Sequence, residues 1–425
     1  MNIRTILGFV TGKASAIREA ACNRASLWTG IVLVLLTGIA RNYDQNFVLE
    51  SPLWLIGPLT FSLFSGSFLY AILIRGFAGR HIPEESRKES RWASFMALFW
   101  LTAPVAWLYA IPVERFLNSY HAAQANITLL AIVSFWRVLL MSRVISVLLE
   151  IPIRRALGWV LVSASLEVIV VVFLGLLFGG GLSRSILAAM SGMRNAPEEN
   201  LLSSVLGFVW TWSWAVLILS VIVLAAKRFQ GEARPLPKLS PGRFPWILLS
   251  SLTVIWIAIA IGPQREQHHF TIHATLVRKA AYTDAMVYLQ QHRRSDFPPN
   301  RRLEPNPYEY RVWRDLPPTI ALLTPETHPW IRQMYLGHLA ATFSHHYSGY
   351  DSLTNVATMV MAIEQLPEGR DWLQTNQTAL ATQGLGRWHG REDSTNIVEM
   401  AARTNILETL SRMGMTETNL TRLTE

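Results

Sequence analysis

The residues best placed to do chemistry lie inside apolar sequence. Arg137 and Arg143 interrupt the run "FWRVLLMSRVISVLLE", Phe135 to Glu150, and Glu167 interrupts the next one. An unpaired charge in hydrocarbon costs at least ~2.5 kcal/mol even on a lenient insertion scale. Each such residue therefore needs a partner or a purpose. The short connection "EIPIRRA" makes the two runs an antiparallel hairpin centred near Pro152. Arg137 lies 15 residues before that centre and Glu167 15 residues after it. At a rise of about 1.5 Å per residue both fall at one depth, near the bilayer middle. An intramembrane Arg137–Glu167 ion pair is expected, as a staple of helix register or as an element of transport or gating. Arg143 lies about 9 Å nearer the hairpin turn. It is expected to snorkel there on its apolar stem.

Other candidates carry weaker chemistry. Of the 11 histidines, nine follow residue 263. His269 and His273 are spaced i, i+4, so one helical face could offer both to a metal. No local third ligand completes the pair, and surface or packed histidines are the plainer reading. The second apolar run contains "LFSGSFLY", where Ser65, Gly66 and Ser67 favour close helix packing over a serine nucleophile, since no histidine lies well inside a span. Pro104 and Pro112 are expected to kink the third span. In "ARNYDQNFVLESP", Arg41, Tyr43 and Asp44 read as an outer rim and interface anchor. Phosphate-loop, zinc-protease and nucleophile-elbow motifs are all absent. A single cysteine, Cys22, excludes an intramolecular disulfide and any cysteine-based cluster held by this chain alone. No cofactor is expected.

The elements that position these groups are read from hydropathy. Of the 425 residues, 51% are hydrophobic and 16% charged, against about 25% charged in an average soluble domain. The mean hydropathy is +0.25. Seven apolar runs approach the length of about 20 residues that crosses a bilayer. They are 26–40, 53–74, 93–113, 126–149, 156–178, 202–226 and 245–262. Basic residues alternate across them: 16 on the N-terminal side and 4 on the other. Lysine and arginine are retained in the cytoplasm, so the N-terminus is expected inside and the C-terminus outside. Gly38 and Ala40 could serve a signal peptidase, but the charged segment before this run is unusually long, so the first span is read as retained. Residues 1–25 have helical spacing of Ile3, Ile6, Leu7, Val10 and Ile17, and are expected to form one amphipathic interfacial helix.

After residue 262 the character changes. Residues 263–425 hold 16 basic and 17 acidic residues, so the charge of +9 belongs to the membrane part. The domain is not an electrostatic nucleic-acid binder. Helices are expected near 328–345, 351–365, 368–383 and 394–413, with Asp351 and Ser394 as N-caps. The stretch "LVRKAAYTDAMVYL" is similar to one tetratricopeptide-type hairpin, but a solenoid needs about three. Residues 297–329 contain eight prolines and are expected to form an irregular strap over the helices.

The expected fold class is thus all-α, a polytopic bundle of about seven transmembrane helices with a C-terminal α-helical soluble domain, in the cytoplasmic (inner) membrane. Its partners are the lipid bilayer and a protein docked on the outer domain. A structural or interaction role comes first. A transporter or channel component built on Arg137, Glu167 and the broken third span comes second, and a membrane enzyme third. A water-filled cavity reaching Glu167 would favour the second.

Overall fold

The structure is a computed structural model that describes residues 2–40, 47–50, 52–74, 92–177, 196–226, 237, 239–299, 303, 312–344, 353–381 and 397–413. The described chain is all-helical, with a lone backbone bridge, Asn23 to Ser240, outside the helices. It forms two compact units, Met1–Arg265 and Glu266–Glu425.

Among the described residues, six helices are long and apolar enough to cross a membrane. They are α4 (Leu53–Leu73), the stretch from α5 (Trp92–Trp100) to Ala110, α6 (Ser119–Leu149), α7 (Ile153–Leu177), α8 (Ala196–Ala226) and α9 (Trp246–Arg278). The first apolar run folds as α3 (Ala25–Ala40), whose 16 residues make a shorter apolar helix. Its length is about 24 Å, below the ~30 Å of hydrocarbon. Gly30 brings α3 hard against α5: a Cβ there would lie 2.7 Å from Trp100 Cβ. Gly158 similarly sets the approach of α7 and α8, against Leu224.

The N-terminal segment departs from expectation. It is two helices, α1 (Ile3–Val10) and α2 (Ala14–Cys22), folded back on each other rather than one. The break is at Gly12, whose φ of +75° is open to glycine and strained for other residues. The hairpin is also more than interfacial: Phe9, Ile17, Ala20 and Ala21 are fully buried in the core of the first unit. Backbone hydrogen bonds from Arg24 and Ser240 tie the end of this hairpin to the segment preceding α9.

The third span is broken rather than kinked. Its α-helix ends at Trp100, and a 3-10 segment runs Ala103–Ala110. Pro104 explains the end point. Its ring would clash with the carbonyl four residues earlier, that of Trp100, and it has no N–H to donate there. Pro112 then precedes a second short 3-10 turn, Val113–Arg115.

The turn between α6 and α7 is where the sequence places it. Glu150 takes a left-handed conformation (φ 54°), and Ser146 Oγ donates to the Ile151 carbonyl at 2.7 Å. Beyond the apolar run, α9 continues through Pro263 to Arg278, 33 residues in all, and the boundary between the units falls inside it.

The second unit contains α10 (Tyr282–Gln290), α11 (Val312–Ile320), α12 (Pro329–Ser344), α13 (Leu353–Glu364), α14 (Gly369–Leu380) and α15 (Ile397–Arg412). Its core is built from Leu289, Phe297, Leu316, Ile320, Ile331, Tyr335, Ile363 and Leu373. The proline-rich strap needs correction, because α11 is a regular helix containing Pro317 and Pro318. Full burial of Leu316 and Ile320 outweighs the lost backbone bonds. Thr319 Oγ1 also donates to the Asp315 carbonyl at 2.6 Å. Asp351 and Ser394 lie outside the described residues.

Candidate functional site: a cavity at Arg137 and Glu167

Helices α3 to α7 and the 3-10 segment of the first unit line a partly open cavity of about 470 Å³. Arg137, Ser134 and Met141 enter from α6, and Glu167, Ser163 and Ala164 from α7. Ser62 and Ser65 come from α4, and Ala106 and Tyr109 from the 3-10 segment. The remaining wall is apolar, including Phe61, Leu69, Val133 and Val160. The volume is within the range of about 300–1,000 Å³ typical of small-molecule sites, as is the apolar wall with few polar groups.

The break in the third span positions Arg137. Its Nε donates to Thr102 Oγ1 at 3.2 Å, and Thr102 in turn donates to the Phe99 carbonyl at 2.7 Å. The guanidinium carbon also sits 5.2 Å from the Phe99 ring centroid, a cation–π contact. Arg137 therefore rests at the C-terminal end of α5, where the helix dipole favours a cation. The terminal nitrogens of its fork make no hydrogen bond among the described residues.

Glu167 accepts a long hydrogen bond from Ser163 Oγ, at 3.5 Å, one helical turn back. Ser65 Oγ faces the same carboxylate, buried and without a hydrogen bond of normal geometry. Arg137 and Glu167 act on each other electrostatically. No direct ion-pair contact joins them among the described residues; each makes its hydrogen bonds elsewhere. The depth arithmetic brings the two charges to one cavity, with space between them.

The 3-10 segment has a second groove against it, about 650 Å³ and apolar, lined by Pro104, Trp107, Trp136 and Trp256. One turn of backbone thus presents Ala106 and Tyr109 to the charged cavity, and Trp107 and Leu108 to the apolar groove. Trp107 packs edge-on against Trp256, with ring centroids 5.5 Å apart. Its indole N–H is buried without a partner.

The other sequence candidates fall elsewhere. Arg143 donates from Nε to the Gly12 carbonyl at 3.3 Å, so its charge ends in the turn between α1 and α2. Gly66 lies in the close α4–α5 contact, where a Cβ would meet Met96 at 2.8 Å. Ser62 and Ser67 accept the indole N–H groups of Trp100 and Trp92. Arg41, Tyr43 and Asp44 lie outside the described residues. His269 Nδ1 is 2.7 Å from Tyr288 Oη, and its ring lies 4.6 Å from that of His292. His273 is fully buried with neither ring nitrogen partnered. Among the described residues no group of three or more His, Cys, Asp or Glu could hold a metal.

Thr102, Tyr109 and Ser65 were not legible as partners of the two charges. Only Ser163, at i−4 from Glu167, carried a local signal. The chain matches no protein-family model, no curated protein and no solved structure.

Proposed function

We propose that the membrane unit binds a small ligand in the Arg137–Glu167 cavity and that the protein is a transporter or channel component. The cavity carries this reading. Two charges, four serines and a tyrosine converge on about 470 Å³ of space among the helices, where a purely structural bundle would be close-packed. Charged residues at such depth mark pathways or sites more often than packing. The broken third span, one turn thick between two hollows, is the element that movement would use. A docking role for the C-terminal unit rests on sequence alone, and the hollow at Glu167 favours the ligand reading over it.

In this proposal α3 makes a seventh crossing, tilted little and helped by the α1–α2 hairpin. The 16-to-4 division of basic residues supports a cytoplasmic N-terminus and an external C-terminal domain in this proposal.

Cysteine labelling tests the reading. Cys22 is the only cysteine in the chain, so Cys22→Ser gives a silent background. In it, Ala164→Cys should react with the small anionic reagent methanethiosulfonate ethylsulfonate. Ala156→Cys, on the same helix and fully buried, should not. Equal silence at both positions would mean a closed, dry void and would remove the basis for a ligand site.

A further inference from the structure

We infer that the ligand is an amphipathic anion, with a carboxylate or phosphate head on Arg137, and that one proton enters with it on Glu167. The inference rests on the ligand reading above and adds the chemical class. Three observations support it. Among the described residues Arg137 donates a hydrogen bond only from Nε, to Thr102, and its guanidinium lies over the Phe99 ring, which leaves the terminal nitrogens of the fork for the cavity. That planar fork matches the two oxygens of a carboxylate or phosphate. The walls beyond it, Phe61, Leu69, Leu130, Val133 and Val160, are apolar and suit a hydrocarbon tail rather than a sugar or a bare ion.

Charge balance supplies the proton. Empty, the cavity holds Arg137 as a cation and Glu167 as a carboxylate, a net of zero. A singly charged anion at Arg137, a carboxylate or a phosphate monoanion, would leave one uncompensated negative charge in a low-dielectric space, which is costly. Taking one proton from water onto the Glu167 carboxylate restores zero, and its release with the anion returns the starting state. The groups facing Glu167 are Arg137 from α6, Ser65 from α4 and Ser163 from α7, and Tyr109 of the 3-10 segment, in the same lining, acts on Arg137. Among the described residues α8 brings no charged side chain to this lining. Among the described residues Arg137 is the one positive charge in the lining, and Glu167 is the group that can take the proton. Ser65 Oγ, unpartnered, is available to the protonated carboxyl or to the anion head.

The test uses the full chain, as Cys22→Ser/Ala164→Cys, in phosphatidylcholine nanodiscs. Hexanoate and hexyl phosphate should slow labelling of Ala164→Cys at concentrations where 1-hexanol and hexylammonium do not. Arg137→Gln should raise the half-protecting concentration at least about tenfold, the loss of a charge-assisted pair. Arg137→Lys, which keeps the charge but loses the fork, should fall between and guards against a variant that fails to fold. In weakly buffered solution, hexanoate binding should take up one proton per protein, read with an indicator dye. Glu167→Gln should abolish that uptake and remove the strengthening of protection as the pH falls. Protection by 1-hexanol equal to that by hexanoate, an unaffected Arg137→Gln, or binding without proton uptake would overturn the inference while leaving a ligand cavity in place. Labelling that no anion slows would also overturn it alone. Complete absence of labelling would remove the underlying reading and the anion with it.

Discussion

Arg332→Met should destabilise the C-terminal unit by about 2–3 kcal/mol, the cost of leaving two backbone carbonyls and a partly exposed carboxylate without their donor. Arg332, on α12, is only 8% exposed. Its Nε donates to Glu368 Oε1 at 2.8 Å and its Nη1 to the Pro325 carbonyl at 2.8 Å, with the Thr327 carbonyl as a third acceptor. One side chain thus joins the turn before α12 to the start of α14. Methionine would fill the volume but strand a carboxylate and two carbonyl oxygens. The hydrogen bond from Arg332 holds the Glu368 carboxyl below its ordinary range. A carboxylate with a depressed folded value stabilises above its unfolded pKa, about 4.3, and loses that contribution as pH falls through the folded value. The gap between wild type and Arg332→Met should therefore be full at neutral pH and narrow by the share of Glu368 in the acid range below about pH 4, the share of the two carbonyls remaining. Thermal unfolding of the purified protein across that range checks both statements. An unchanged melting temperature at pH 7 would contradict them.

Arg137→Met should cost a comparable amount, about 3 kcal/mol, because it leaves Glu167 as the lone charge in the cavity. The informative partner is the double variant Arg137→Met/Glu167→Met. If the two residues were a structural staple, removing both would be at least as damaging as removing either. With no direct contact between them, and each carrying its own cost of burial, the double variant should regain the wild-type melting temperature or exceed it. Residual loss should trace to the Thr102 hydrogen bond and the Phe99 contact. Melting curves of the four proteins in one detergent give the cycle. A double variant less stable than both singles would mean that the charges hold the bundle together.

The helices were largely legible because hydrocarbon and helical period leave a direct trace in sequence. In the second unit, α12 to α15 fall on four periodic segments. The errors have identifiable causes. Gly12 in "VTGKA" ended a helix that periodicity alone would have continued, because periodicity is blind to a positive φ. Pro263 lies inside α9, although the apolar run ends just before it, since one missing backbone bond is tolerable within a long helix. Pro317 and Pro318 did not prevent α11, since burial of Leu316 and Ile320 decided the matter. For the site, counting residues from Pro152 put Arg137 and Glu167 at one depth. It could not show what fills the space between them. That depends on the register of α4 and of the broken third span, where Ser65, Thr102 and Tyr109 sit far away in sequence, and no local pattern records such a register.

Native mass spectrometry of the full chain purified in mild detergent addresses the cavity most directly. The protein should carry a small-molecule adduct. Ala164→Trp, which fills the hollow while leaving Arg137 and Glu167 in place, should remove it without loss of folding. A bare wild-type mass, or an adduct that survives Ala164→Trp unchanged, would contradict a ligand site at Arg137 and Glu167.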